Sequence, residues 1–445
     1  MISRLAKAWF GDFSREELKK FLLLAFIFFF TIGVYWLIRI TKDSVFSIII
    51  GATYIPFAKG LSLFVVVPLV MAYGFLVDKF PRHRVFYALC AIYGTLGILF
   101  AILLQNPTIG LPNIDASPWR LLGWLYYVYV ESFGSIMVAL FWAFTADTTT
   151  PESAKRGYGL IAMGGQVGGI VGPLIVERQA ENLGQAVVIG IGSAAIFMIA
   201  AMVYYYMKVV SHDQLRGYHG KETAEQKKAT KEKVGFTEGL GLILSQPYLL
   251  GIFAVISIYE VIVTIFDFHF KVLAASQGMS GDALASYLGN YGVWTNGVAL
   301  ICLLLGVSNI GRKLGLTVAL TLLPIIIAGA TIALNLNLNL EVACWIMIVS
   351  KALNYALNQP AKEQLYIPTT KDAKYKAKGW IEMFGSRSSK AGGSAINAVK
   401  KLMSVNSFIM FSAIASLGLC GIWFLIALYL GRTHKKAVDS NTVVC

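Results

Sequence analysis

An all-α membrane protein of about twelve transmembrane helices, arranged as two six-helix bundles, is the fold class this sequence predicts. Three observations predict it. Hydrophobic residues make up 57% of the 445-residue chain and charged residues only 14%, with a mean hydropathy of +0.66; a soluble protein of this size needs a more charged surface. Several uninterrupted apolar runs reach 18 or more residues, the length that crosses a hydrocarbon core of about 30 Å as a helix. A polar stretch from Ser211 to Ser245, containing KETAEQKKATKEK, then divides those runs into two sets of six.

The chain begins with a polar segment, residues 1–20, in which LAKAWF is amphipathic enough to lie on the inner leaflet. Ser14 and Glu17 form an S-x-x-E capping box that predicts a helix start. The first apolar run, Phe21 to Leu37, is too long for a secretory leader and no small-residue cleavage site follows it. Hydropathy places spans at 21–39, 55–77, 85–104, 122–146, 158–176, 187–208, 247–268, 284–306, 314–334, 341–358, 378–399 and 407–431. The eleventh is Gly/Ser-rich and carries charges. The organisation is thus a cytoplasmic N-terminus (1–20), a first bundle (21–210), a solvated linker that is partly helical at most (211–245), a second bundle (246–432) and a cytoplasmic tail (433–445).

Charge orients this chain. With both termini in the cytoplasm, segments 1–20, 78–84, 147–157, 208–246, 307–315, 359–378 and 432–445 hold 27 Lys+Arg, against 6 on the outer side (Lys42, Arg120, Arg178, Lys271, Lys400 and Lys401). That positive-inside bias agrees with an even number of spans in an inner membrane. It accounts for most of the net charge of +14 and removes nucleic acid as a partner, leaving the lipid bilayer. The five cysteines (90, 302, 344, 420, 445) are scattered, four of them in apolar runs, and give no disulfide or metal spacing. No cofactor motif, paired carboxylates or nucleophile constellation points to an enzyme. A secondary transporter is expected.

Six spans, a linker and six more is the arrangement of major-facilitator-type transporters, whose substrate sits at the interface of the halves near the midplane. GFLVDKFPRHRV (74–85) resembles that class's loop pattern G-x-x-x-D-R-x-G-R-x-R, with Pro81 in place of Gly, and offers Asp78 as a cap and ion-pair partner. In span five, GLIAMGGQVGGIVGP sets Gly159, Gly164, Gly165, Gly168, Gly169 and Gly172 mostly at small-xxx-small spacing, which predicts close helix packing rather than substrate contact. Pro173 is expected to break that helix locally and to supply a hinge.

Ionisable groups at membrane depth are costly and usually functional. Span one ends VYWLIRITKDSV, where Arg39 and Lys42 share a face; Arg39 and, at the start of span two, Lys59 are open to interfacial snorkelling as well as to function. Glu131 in span four has no charge near it in sequence, so it needs a partner on another helix. Span seven carries Glu260, Thr264, Asp267 and Lys271 at i, i+4, i+7 and i+11, with His269 off that stripe near the outer interface. Such a stripe is hidden only against protein or a water-filled cavity. Span ten repeats the pattern with Lys351, Asn354, Tyr355 and Asn358. Span eleven sets Lys378 with Glu382 and Arg387 with Lys390, while Gly392 and Gly393 let backbone come close. In span eight Asn290, Tyr291 and Trp294 form an amide and aromatic set able to stack on a flat ring or simply to pack. A cavity lined by more cations than acids implies a polyanionic cargo.

Four segments carry a family resemblance. IRITKDSV (38–45) resembles L-R-D-T-K-D; VESFGSIMVALFWAFT (130–145) resembles E-L-W-G-S-V…F-W-G-F; DFHFK (267–271) resembles E-V-T-W-K; and KEQLYIP…KYKAKGWIEMFGSRSSKAGG (362–393) resembles K-E-M-A-Y-I-P…K-V-K-G-K-A-A-I-D…R-F-G-K-S-G-G. These are motifs of the nucleotide transporters of obligate intracellular bacteria and plastids, often called ATP/ADP translocases, and the resemblance runs over essentially the whole chain. It implies nucleotide transport across the inner membrane by alternating access, with ATP, ADP, GTP or another nucleoside triphosphate as substrate. The modes implied are ATP/ADP exchange, proton-coupled net uptake and dinucleotide exchange.

On that reading Arg39, Lys42, Lys271, Lys351, Arg387 and Lys390 bind phosphate. Glu131, Glu260, Asp267 and Glu382 balance charge or carry protons. Asn290, Tyr291, Trp294, Asn354 and Asn358 are the base-contacting candidates. Departures from the family pattern are Ile40 for an acid, Asp267 for Glu, Asn354 for Lys, Gln359 for Asp and Ser389 for the Gly before Lys390. They argue against strict ATP/ADP exchange and leave substrate and coupling open. The competing expectation is a proton-driven major-facilitator exporter of small organic compounds, favoured by the 74–85 loop and the span-five glycines.

Overall fold

The computed structural model describes residues 14–149, 151–210, 236–305, 314–370, 377–381, 385–440 and 442–444. Every regular element among them is helical. The first half holds α1 (Arg15–Phe46), α2 (Ile55–Lys79), α3 (Arg82–Leu103), α4 (Leu121–Asp147), α5 (Pro151–Leu183) and α6 (Gln185–Val209). After the linker, whose last ten residues form α7 (Phe236–Ser245), come α8 (Pro247–Ala275), α9 (Gly281–Leu304) and α10 (Leu316–Leu336). The chain ends with α11 (Leu340–Leu353), α12 (Gln359–Leu365), α13 (Ser386–Ala398) and α14 (Val405–Asp439). Wide π-type turns follow α1 at Ser47–Gly51 and join α11 to α12 at Asn354–Asn358. Among the described residues, nine helical stretches are long and apolar enough to cross a membrane, with Arg15–Val66 counting as one continuous run. The more polar α9 and the short α13 fall outside that set.

By proximity the described residues sort into two compact units. Unit 1 falls within Met1–Tyr54, Phe64–Thr223 and Gly278–Asn296, and unit 2 within Ile55–Leu63, Ala224–Gln277 and Gly297–Cys445. The first nine residues of α2 therefore belong with the second unit, and most of α9 belongs with the first.

Unit 1 is organised around α1. Ser14 caps it, the side-chain oxygen accepting from the Glu17 N–H at 3.1 Å, as the S-x-x-E pattern predicts. The Glu17 carboxylate accepts from the Ser153 hydroxyl of α5 at 2.5 Å, and the Lys20 ammonium donates to the Thr148 carbonyl. These contacts seat the N-terminal end of α1 on the α4–α5 turn. Further along, Gly164, Gly168 and Gly172 face the carbonyls of Ala25, Phe29 and Gly33 so closely that no side chain fits between the helices. The three glycines recur every four residues on α5, and the carbonyls they meet recur every four on α1, which is what small-xxx-small spacing provides. The α5 helix runs unbroken across Pro173 to Leu183, correcting the expected break and hinge; prolines are tolerated in membrane helices where neighbours absorb the freed groups. At the start of α3, Arg82 pairs with Asp147 of α4 at 2.9 Å.

The end of unit 1 where α1 finishes is tied by hydrogen bonds. Ser44 donates to the Gly281 carbonyl at 2.8 Å, Ser286 to the Glu177 carbonyl at 2.8 Å, and Asp282 accepts from the Gln185 N–H that opens α6 at 2.8 Å. In the α3–α4 loop the Arg120 guanidinium donates to the carbonyls of Asn113 and Asp115 at 3.0 Å, of Ile109 at 3.1 Å, and of Gly110. One planar cation thereby satisfies backbone that has no helix to satisfy it.

In unit 2, α13 lies against α8. Gly393 meets the Val261 carbonyl and Thr264, and Asn397 donates to the Thr264 carbonyl at 3.0 Å. His269 is buried and not interfacial, because Ser412 of α14 lies 3.0 Å from its Nε2 and supplies the partner that burial requires. In the turn before α14, the Lys400 and Lys401 ammonium groups lie over the rings of Phe268 and Phe57, at 5.4 and 4.7 Å; partial burial pulls the Lys400 pKa down.

Gly168→Ala is expected to cost about 1–3 kcal/mol, because the obstructing atom is a backbone carbonyl that cannot rotate away. Gly421→Ala in α14, which has open space around it, is expected to stay within about 0.5 kcal/mol of the native protein. Melting curves of the detergent-solubilised protein compare the two.

Candidate functional site

Most of the charged residues singled out in the sequence fall into two buried groups, one in each unit. In unit 1 the last turns of α1 meet α4. Lys42 is 3% exposed, and its ammonium donates to Glu131 Oε1 at 2.5 Å, lies 3.6 Å from Asp43 Oδ1 and sits 4.2 Å above the Tyr127 ring. Arg39 lies flat against its own helix, 4.8 Å from the Trp36 ring, with Nη1 donating to the Tyr35 hydroxyl at 3.2 Å. Two cations and two carboxylates make this group neutral. Glu131 therefore has the cross-helix cation that its isolation in the sequence demanded.

Unit 2 is built differently. Asp267 of α8, 8% exposed, accepts two ammonium groups on the same oxygen: Lys59 of α2 at 2.7 Å and Lys271, one turn along α8, at 2.9 Å. About two turns toward the N-terminal end of α8, Glu260 accepts from Ser386 of α13 at 3.1 Å and lies 3.6 Å from the Lys390 ammonium. Lys351 is buried in the last turn of α11, and Arg387 is half-buried on α13. Of the described residues just named in this unit, five are cations and two are carboxylates, with Lys390 half exposed. Around Asp267 one carboxylate oxygen meets two ammonium groups.

The amides divide between the units. Asn354 and Asn358 fall on the π-type turn after α11, both buried, with Asn358 Nδ2 donating to Asn354 Oδ1 at 2.8 Å. A turn carrying an extra residue is a common device at functional sites. In unit 1, Asn290 donates to Glu177 Oε1 at 2.9 Å, Tyr291 is buried and Trp294 is half exposed. Asn290 is thus engaged in tying α9 to α5, and the set does not present one continuous stacking face. Glu382 lies outside the described residues, and Lys378 pairs with Glu363 at 2.7 Å.

Lys59, Tyr127 and Ser386 were not among the site residues expected. The signal for Lys59 was present: it is the only charge in IPFAKGLSLFVVV, but its place near a span end reads equally as snorkelling. Tyr127 lies one turn before Glu131, and nothing in the sequence distinguishes it from the other core aromatics.

Two units rich in membrane-length helices, each with charged side chains paired in its interior, define a multi-pass membrane transporter. Solved structures agree on the fold: a peptide transporter of the POT type (TM-score 0.62, 13% identity, 93% of this chain and 95% of that one) and a bacterial homologue of the iron transporter ferroportin (TM-score 0.62, 12% identity, 94% and 98%). These are major-facilitator-like transporters. The chain belongs to the TLC ATP/ADP transporter family, whose model matches residues 3–112, 116–336 and 329–434. Relatives include ADP,ATP carrier protein 4 of Rickettsia bellii, 26% identical over 95% of this chain and 92% of its own length. ADP,ATP carrier protein 1 of Chlamydia muridarum is 26% identical over 95% and 90%, and the chloroplastic ADP,ATP carrier protein 2 of Arabidopsis thaliana 24% over 92% and 74%.

Removing the shared acceptor tests the unit 2 geometry. Asp267→Asn leaves Lys59 and Lys271 facing each other, with an expected loss of about 3–5 kcal/mol. Adding Lys59→Met is expected to recover much of it. Thermal melts of the two single variants and the double variant close the cycle; strict additivity would contradict a shared partner.

Proposed function

We propose that this protein moves nucleotides across the inner membrane by alternating access, holding their phosphates on lysine and arginine side chains. The single observation that carries this reading is the gathering of cations in unit 2, with Lys59 and Lys271 meeting on one Asp267 oxygen. Clustered ammonium groups favour an anionic cargo. Phosphates suit such a cluster, since lysine engages them as a point charge and arginine as a two-pronged donor. Membership of the TLC family and the names of the relatives, ADP,ATP carrier proteins, direct the choice among anions toward ATP and ADP.

Within this reading Lys271, Lys351, Arg387 and Lys390 are the phosphate ligands of unit 2, with Arg39 and Lys42 contributed by unit 1. Glu131, Asp267 and Glu260 hold those cations when cargo is absent. Glu260, linked to Ser386 and Lys390, is the group proposed to carry a proton if transport is proton-coupled. Exchange of ATP for ADP and proton-coupled import of a nucleoside triphosphate are the two modes. Asn354, where energy-type translocases carry lysine, retunes the charge that must distinguish triphosphate from diphosphate. Both termini are placed in the cytoplasm on the positive-inside count.

Proteoliposomes separate the modes. Labelled ATP or ADP uptake that requires unlabelled nucleotide inside is exchange; uptake driven by a proton gradient alone is symport. Saturable uptake in neither would sink the proposal. Lys42→Ala, Lys271→Ala and Lys390→Ala are expected to lower uptake at least tenfold at unchanged expression, whereas Lys228→Ala in the linker leaves it unaltered. Equal activity in all four would remove the site assignment.

A further inference from the structure

The stretch Gly278–Asn296, which takes in most of α9, follows the linker and belongs by chain order to the second half, yet it groups with unit 1. There it is held by hydrogen bonds to three helices of the first half. The Gly281 carbonyl accepts from Ser44 of α1 at 2.8 Å, and Asp282 accepts from the Gln185 N–H of α6 at 2.8 Å. Glu177 of α5 accepts from Ser286 through its carbonyl at 2.8 Å and from Asn290 through its carboxylate at 2.9 Å. The stretch contains no Lys, Arg or His, so it brings no cation of its own to this seam. A side chain on Gly289 would stand 2.6 Å from the Glu177 backbone nitrogen, so α9 and α5 touch backbone to backbone. The fit is close, but the bonds that hold it are of a kind whose net contribution is individually modest.

Gln185 sits in this seam with only 1% of its surface exposed, and neither its side-chain oxygen nor its side-chain nitrogen meets a hydrogen-bonding partner among the described residues. The amide nitrogen lies against Gly281, where a Cβ would stand 2.8 Å from it. A primary amide has two donors and an acceptor, and burying them unmatched weakens the closed seam. Parting the seam lets water reach the amide and removes that penalty. A side chain of the same length without the amide would hold α9 to α6 more firmly.

We propose that the seam of α9 with α1, α5 and α6 is a gate that parts during transport, and that Gln185 keeps its closed form from being too stable to open. This rests on the alternating-access reading above and gives that reading a place in the fold and a residue that tunes it. Gln185→Met keeps the length of the side chain and removes the amide. In detergent, without ligand, its melting temperature is expected to rise by about 2 °C or more. Ser44→Cys puts a thiol under the seam, where a membrane-impermeant thiol reagent reaches it only when α9 moves away; the chain with its native cysteines alone supplies the blank. In proteoliposomes, adding Gln185→Met is expected to slow that labelling about threefold or more, and Gln185→Met alone to lower kcat for nucleotide uptake by a similar factor with KM nearly unchanged. Gly289→Ala, which forces α9 off α5, is expected to act in the opposite direction, with faster labelling and a lower melting temperature.

A Gln185→Met protein that melts at or below the native temperature, or fails to fold, overturns the proposal, because the amide is then no source of weakness. One that melts higher but labels at the native rate makes Gln185 a flaw in a static contact, and one that labels slowly at native kcat takes the seam out of the transport cycle; either result overturns it. Labelling needs no nucleotide. A native protein without saturable uptake therefore fails the nucleotide reading, while melting and labelling still decide the gate.

Discussion

Everything in this molecule follows from the cost of keeping charge where there is little water. An isolated ammonium or carboxylate at hydrocarbon depth is paid for only by a close counter-charge or a ring of donors and acceptors. Lys42 illustrates the solution in full, with Glu131, Asp43 and the Tyr127 ring around one ammonium. The helices that carry these groups are brought near enough by packing that has nothing to do with charge. Glycines along α5 let α1 approach backbone to backbone, and α1 is the helix that delivers Arg39 and Lys42. Sterics sets the distances and electrostatics uses them.

The two units apply that rule with different outcomes. In the α1–α4 group two cations meet two carboxylates, so an arriving phosphate has to compete with Glu131 and Asp43 for Lys42. In the α2–α8 group one carboxylate, Asp267, answers two lysines. A carrier must hold its cargo firmly enough to select it and loosely enough to release it. A site whose cations already rest on a carboxylate meets both needs, since the carboxylate competes for them when the cargo leaves. The same residue that lowers the cost of the empty site also lowers the affinity of the filled one.

Much of this was legible in the amino-acid order. The long apolar runs and the linker defined the architecture because hydrocarbon thickness leaves few alternatives for a run of such length. The stripe on α8 predicted that Glu260, Asp267 and Lys271 would be sheltered by protein, since i, i+4 and i+7 lie on one face of any helix. Partners were another matter. Glu131 needed a cation, but nothing across the 89 positions that separate them says that Lys42 provides it, because tertiary pairing is set by helix packing. Lys59 was ambiguous because depth in the membrane cannot be judged to within one turn from hydropathy. His269 was misplaced for the same reason: its burial depends on Ser412, 143 residues away. Pro173 was expected to break α5, yet packing in unit 1 keeps the helix continuous.

The wide turn at Asn354–Asn358 has a consequence for the chain beyond it. A π-type turn holds one more residue than an α-helical turn, and one residue corresponds to a rotation of about 100° about the axis. Lys351 before the turn and Lys362 after it are both buried; eleven positions apart on an ordinary helix they would lie on one face, about 20° from each other. Deleting a single residue there would straighten the rod and swing every later side chain around it. Length, in this segment, is as much a specified property as composition.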